Sequence, residues 1–349
     1  MRKVIAALLL PFFISFNSSI AAQNAENSTE ILTIESRLKE MNVPALGLVV
    51  LKNGRVSRAE VYGELYEGKP APEDAIFNVA SLTKPIVTML TLKLVENGDW
   101  TLDEPLHPYW VDPDVKEYRY SKILTTRHIL THQSGFPNWR WENEDNKLAF
   151  KFEPGKGYGY SGEGFEYLQN ALESKFQKPL EKLADSLIFQ PLDMEHSWFY
   201  WNDSVEEEKF AKWHDSEGNN SYSVVKDKSA SAADDLLITI GDYGKFAEYV
   251  LEKIAEEKVL YKEMVTRGNG VENQTVIGLG WELLPDLKNE EYAVLHTGGD
   301  RGVNTLIMLL PETGEGVIIF TNGDNGNQLF FELINDHLSL GEQITGAAQ

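Results

Sequence analysis

The sequence predicts an α+β fold: an antiparallel sheet flanked by helices, with a mostly helical lobe between the two halves of the sheet's strands. Three observations carry this. Two strand runs near the start, residues 45–52 and 55–62, are joined by Asn53-Gly54, a strong hairpin signal. Four strand-like runs cluster near the end, at 275–283, 293–297, 304–310 and 316–321. Between them, residues 101–234 show helical periodicity broken by loops, at 123–132, 164–176 and 180–188.

In chain order, residues 1–22 read as a secretory leader. Arg2 and Lys3 form its positive start, residues 4–16 its apolar core, and Ser19-Ile20-Ala21-Ala22 a small-residue cleavage region. The apolar run is too short for a membrane span. A single domain is expected over 23–349, with the α/β lobe from 29–100 and 235–345 and the helical lobe from 101–234. A helix over 29–41 precedes the hairpin, and an apolar helix runs from Ser81 to Glu96. A helix at 240–254 leads back to the strands, and a final one spans 328–340 after the turn-rich Asn322-Gly323-Asp324-Asn325-Gly326. No internal repeat and no Pro/Ser-rich linker is visible.

The most informative stretch is Ser81-Leu82-Thr83-Lys84. A strand-like run ends at Ala80 and an apolar helical run begins at Ile86. A lysine three residues after a serine lies one helical turn on, on the same face. A serine hydroxyl needs a neighbouring base to attack a carbonyl, and a desolvated amine can serve. The same spacing occurs at Ser36/Lys39 and Ser223/Lys226, but there it reads as solvated helix surface and as a polar loop.

Two further constellations follow. Glu153-Pro154-Gly155-Lys156-Gly157-Tyr158-Gly159-Tyr160-Ser161 is a glycine-dense turn that can present Tyr160 from a loop. Near two cations its phenol is expected to titrate low and relay a proton. Further on, a short strand ends in His296-Thr297-Gly298-Gly299, where glycines let a substrate approach the strand backbone and its N–H groups.

Taken in order, Ser81-x-x-Lys84, Tyr160-Ser161-x and His296-Thr297-Gly298 resemble the three motifs of the serine β-lactamase and penicillin-binding-protein superfamily. The resemblance is nearest the branch of class C β-lactamases, D-peptidases and related esterases. It extends over roughly residues 30–340 and includes the stretches 124–137, 189–194 and 278–282. It implies that Ser81 forms an acyl-enzyme with Lys84 and Tyr160 as general base and acid. It also implies that His296 and Thr297 bind substrate beside Gly298, and that the N–H groups of Ser81 and Gly299 form an oxyanion hole. The substrate is then a small molecule or short peptide carrying an ester, amide or β-lactam carbonyl. A non-turnover penicillin-binding or sensor protein is the alternative.

Two positions depart from the pattern. Gly162 stands where the tyrosine motif commonly has asparagine, whose amide helps hold a substrate amide; this favours an esterase. His296 stands in place of lysine and can be neutral near pH 7, so binding of an acidic group is expected to vary with pH. Tyr200-Trp201-Asn202 has the tyrosine-motif pattern without its Pro-Gly lead-in and reads as coincidence. Arg301 is the candidate for a substrate carboxylate, by its bidentate geometry.

Composition bounds the rest. The formal net charge of −22 argues against nucleic-acid binding, and loss of Arg2 and Lys3 makes it two units more negative. That acidic field is expected to disfavour anionic substrates outside a cationic cleft. The chain has no cysteine, so it has no lipid-anchor cysteine and needs no disulfide. After leader removal it is expected to be exported, periplasmic or secreted, with no membrane anchor. No cofactor or metal is expected. His128 and His132 have the spacing of a metal pair, but no glutamate follows His128 and no third ligand is indicated, so they are read as holding loops near the cleft. Gly-x-Ser-x-Gly is absent. Of the tryptophans at 139, 141, 198, 201 and 213, one or two are expected to line the cleft and favour apolar acyl groups.

Overall fold

The computed structural model describes residues 33–266 and 276–347. The leader, the start of the N-terminal helix and Thr275 lie outside the described residues.

Helix α1 (33–40) is followed by β1 (Ala45–Lys52), β2 (Arg55–Tyr66) and the short β3 (Lys69–Pro70). The chain returns late as β7 (Val276–Ile277), β8 (Glu282–Leu284), β9 (Ala293–Asp300), β10 (Val303–Leu310) and β11 (Glu315–Thr321). Together they form one eight-stranded sheet in the order β3-β2-β1-β11-β10-β9-β8-β7, antiparallel throughout. The two ends of the chain meet at β1–β11, with Leu46 opposite Thr321 and Leu51 opposite Gly316.

Both faces of this sheet are covered, so its central strands read as continuous apolar runs. The period of two still sorts them. Leu46, Leu48 and Val50 face Ile34 and Leu38 of α1, Leu333 and Ile334 of α8 (Phe330–His337) and Ile344 of α9 (Gly341–Ala347). Val49, Ile307, Ile318 and Phe320 face the main core. On that side α6 (Ile240–Ala255) crosses β1 and β2 at two glycines. A side chain at Gly47 would stand 3.1 Å from Ile240, and one at Gly244 the same distance from Val56.

Helix α2 (Thr83–Glu96) lies in the main core, buried nearly all round. Around it pack α3 (Thr126–Leu130), α4 (Gly162–Phe176) and α5 (Leu180–Ala184), the last continued by a π turn over Asp185–Phe189. A second sheet, β4 (Ile76–Asn78), β6 (Leu237–Thr239) and β5 (Ser197–Trp198), stands in the order β4-β6-β5. Its strands are two or three residues each, too short for a periodic signal. Helix α7 (Val259–Met264) completes the elements.

The expected 275–283 strand is two short strands broken by a bend through Gly278–Trp281. The helix expected over 123–132 is confined to Thr126–Leu130, because Thr125 caps its start in a reciprocal capping box with His128. The expected final helix is two, α8 and α9. Among the described residues, no helix is long and apolar enough to cross a membrane.

Candidate active site

Ser81 sits in a single 3-10 turn, Ala80–Leu82, between β4 and α2. The turn is held from several sides. Asn78 accepts from the Ala80 N–H at 2.8 Å and donates to Asp235 at 3.0 Å. Thr305 donates to the Val79 carbonyl at 2.9 Å, and Tyr243 donates to the Leu82 carbonyl at 2.8 Å. Ala80 itself has a φ of +46°, in the left-handed region that alanine rarely adopts. Strain is therefore stored immediately before the serine, and the surrounding bonds maintain it.

Lys84 lies one turn on and is fully buried. Its Nζ donates to Ser81 Oγ at 2.9 Å and to the Ala233 carbonyl at 2.7 Å. Burial pushes its pKa down to about 8, while the Asp234 and Glu166 carboxylates oppose that shift. Burial and neighbouring Asp235 in turn raise the Asp234 carboxyl. Glu166, on α4, accepts from the Ala233 N–H at 3.3 Å and from Ser231 Oγ at 2.5 Å, which ties the 231–233 loop to the helix that follows Tyr160.

The Tyr160 phenol neighbours the Ser81 hydroxyl, with Lys84 Nζ 4.9 Å from its ring centroid. The expectation of a low phenol pKa is wrong. Burial raises it above the ordinary tyrosine value, and nearby Asp234 and Glu282 add to the rise. The second cation is also missing, since both neighbouring histidines are held neutral. His132 packs against the Tyr160 ring, centroids 4.4 Å apart and tilted by 31°, and accepts the Ser161 N–H on Nδ1 at 3.1 Å; burial holds its pKa well below the usual value.

His296 is buried, with its ring centroid 6.3 Å from that of Tyr160. Its Nδ1 lies 2.8 Å from the Thr297 carbonyl, which fixes the proton there and leaves Nε2 as an acceptor. Burial, with Lys84 nearby, lowers its pKa to about 3. The expected pH switch at His296 near neutrality is therefore absent. The same neutrality removes the expected cationic cleft: Lys84, the buried amine beside Ser81, is flanked by Asp234 and Glu166.

β9 brings His296, Thr297, Gly298 and Gly299 alongside the Ser81 turn. At Gly298 a side chain would meet Thr305 Oγ1 at 2.3 Å, the Val79 carbonyl at 2.5 Å and the Leu82 nitrogen at 3.2 Å, so only glycine lets the strand lie this close. A side chain at Gly299 would meet nothing within 4 Å. β8 pairs β9 only over Ala293–Leu295, so beyond that point the edge of β9 facing the turn is not covered by β8. Arg301 is exposed at the β9–β10 turn, and its own N–H donates to Asp300.

The other histidine and serine candidates lie where their plain readings put them. His128 caps α3 and stands against Gly155, and Lys226 pairs with Glu207. Trp201 belongs to a small apolar cluster with Phe210 and Leu237. Among the described residues no group of three or more His, Asp or Glu side chains is placed to hold a metal. Sequence reasoning missed Ala233 and Asp234. Their one signal is the small-residue run Ser229–Ala233 before a pair of aspartates, and it says nothing of a partner 149 residues away.

A serine hydroxyl with a buried amine on one side and a phenol on the other, on this fold, defines the class: a serine hydrolase of the β-lactamase-related kind. The chain belongs to the Beta-lactamase family, whose model matches residues 32–340. Esterase EstB of Burkholderia gladioli is 29% identical over 216 residues, covering 52% of this chain and 53% of the esterase, so the match spans about half of that protein. D-alanyl-D-alanine-carboxypeptidase/endopeptidase AmpH of Escherichia coli (strain K12) is 24% identical over 303 residues, 78% of each chain. Among solved structures, D-amino acid amidase from Ochrobactrum anthropi SV3 superposes with a TM-score of 0.71 at 22% identity, over 85% of this chain and 91% of that one. D-alanine carboxypeptidase AmpC from Burkholderia cenocepacia gives 0.70 at 17%, over 86% and 95%. These two share the fold.

Proposed function

We propose that this protein is an exported serine hydrolase acting through a Ser81 acyl-enzyme, with carboxylic esters as its preferred substrates. The observation that carries this reading is Lys84 Nζ, fully buried and 2.9 Å from Ser81 Oγ. A buried amine gives up its proton more readily than one in water, so neutral Lys84 takes the Ser81 proton as Oγ attacks the carbonyl carbon. The oxyanion forms against the N–H groups of Ser81 and Gly299; one such donor is worth about 2.7–4 kcal/mol. Tyr160 stays a phenol. It therefore acts as a donor and relay, passing the proton to the leaving oxygen as the acyl-enzyme forms. Water then cleaves the acyl-enzyme: its oxygen bonds to the acyl carbon as the bond to Ser81 Oγ breaks, Lys84 and Tyr160 carry one water proton to Ser81 Oγ, and the acid is released. His296 and Thr297 line the β9 side, and Arg301 is the guanidinium available to a substrate carboxylate.

Gly162 supports an ester over a β-lactam or peptide, since no side-chain amide is present at that position. The leader read at residues 1–22 supports export, into the periplasm in a cell with two membranes. The test is turnover of p-nitrophenyl butyrate against a chromogenic cephalosporin. Fast ester cleavage with little cephalosporin cleavage is expected. Faster cephalosporin cleavage, or a lasting adduct without product, would replace this reading with a β-lactamase or a penicillin-binding sensor.

A further inference from the structure

Gly162 is not merely a position without a side chain. Its space is filled. A Cβ at Gly162 would stand 2.9–3.1 Å from three ring carbons of Trp139. The indole is held there from both sides. Asn138 accepts the Gly162 N–H on its side chain at 2.9 Å and the Glu163 N–H on its carbonyl at 3.0 Å. Arg140 donates its N–H to Glu163 at 2.9 Å, and Ser161 Oγ donates to the Pro137 carbonyl at 2.7 Å. Trp141 stacks on Trp139 at 4.7 Å and 11°, and is 63% exposed.

The position of this wall follows from the backbone. Gly162 opens α4 directly after the extended N-cap Ser161 (φ −145°, ψ 110°), two residues from Tyr160. Tyr160 adjoins Ser81, and the Trp139 ring packed at Gly162 therefore flanks the loop that carries Tyr160 to the site. The N–H groups there are already used: Gly162 and Glu163 by Asn138, and Gly164 by Ser161 Oγ at 2.9 Å. This flank therefore offers a substrate an aromatic face and no free backbone donor from the first turn of α4.

We propose that Trp139, backed by Trp141, is the specificity-determining residue of this site, selecting substrates whose acyl group is apolar and several carbons long. The inference rests on the acyl-enzyme reading above. An indole on the flank of the Tyr160 loop gains with each methylene of an acyl chain that reaches it, and a hydrophobic contact of one methylene typically changes specificity about tenfold or more. Acyl groups that present an amide lose a hydrogen bond on this face and are disfavoured.

The test compares kcat/KM for p-nitrophenyl octanoate and p-nitrophenyl acetate in the unaltered protein and in Trp139→Ala, Trp139→Gln and Trp139→Phe. The unaltered protein should prefer octanoate. Trp139→Ala and Trp139→Gln should lower the octanoate-to-acetate ratio about tenfold or more, mostly through KM, and Trp139→Phe should restore most of it. Two variants are used so that a folding failure in one leaves the other to read. Ratios unchanged within about twofold, in variants still labelled by a fluorophosphonate, would overturn the role of Trp139 and leave the hydrolase reading intact. No labelling and no ester turnover in the unaltered protein would overturn both.

Discussion

Lys84 Nζ lies 2.9 Å from Ser81 Oγ with no solvent-exposed surface of its own. A burial that complete brings the pKa of the amine down to about 8, near neutral pH. The base form is the neutral amine. kcat/KM for an uncharged ester should therefore rise with pH as Lys84 loses its proton, with the main inflection near 8. His132 and His296 are already neutral well below that, so no histidine inflection near pH 6–7 should appear. A pH–rate profile checks this; a flat profile from pH 6 to 9 would remove Lys84 as the base.

Asp234 offers a second test of the same group. Its charge favours the Lys84 ammonium, opposing burial, and the two titrate as a pair. Asp234→Asn removes that charge and should move the inflection to lower pH. The ratio of activity at pH 6 to activity at pH 9 should rise. A shift to higher pH would show that the sign of this coupling is wrong.

Gly298 and Gly299 should respond differently to the same methyl. In Gly298→Ala the Cβ would stand 2.3 Å from Thr305 Oγ1 and 2.5 Å from the Val79 carbonyl, so β9 must move off the Ser81 turn. Overpacking of this kind costs about 1–3 kcal/mol, and turnover should fall with it. Gly299→Ala has open space and should hold its stability within about 0.5 kcal/mol. Thermal melts of both variants check the contrast, and equal melting temperatures would contradict it.

Arg140 should matter for folding. Its guanidinium meets Glu163, Asp112 and Asp114, and the first two carboxylates are almost wholly buried. Arg140→Ala leaves them without their cation. The cost should be about 3 kcal/mol, the lower end for a broken buried pair because the arginine is itself partly exposed. Urea unfolding measures it; a loss under about 1 kcal/mol would mean the network is solvated.

Much of this was legible in the sequence. The large sheet was, because its strands are long, apolar runs and Asn53-Gly54 fixes one hairpin. Ser81-x-x-Lys84 was, because a strand-to-helix junction distinguishes it from two copies of the same pattern elsewhere. The β4-β6-β5 sheet was not, since three strands of two or three residues come from distant segments. Titration behaviour was misread for a related reason. Tyr160 and His296 carry no local mark of burial, and burial reverses what their neighbours' charges suggested. Gly162 was seen as a missing amide, but only the folded chain brings Trp139, 23 residues earlier, into its place.

The central claim is that Ser81 is the acylated nucleophile. Intact-protein mass spectrometry of the mature protein and of Ser81→Ala, each mixed with a fluorophosphonate, tests it most directly. One adduct per chain on the unaltered protein and none on the variant, with both melting cooperatively, is the predicted result. Equal labelling of the two would contradict it.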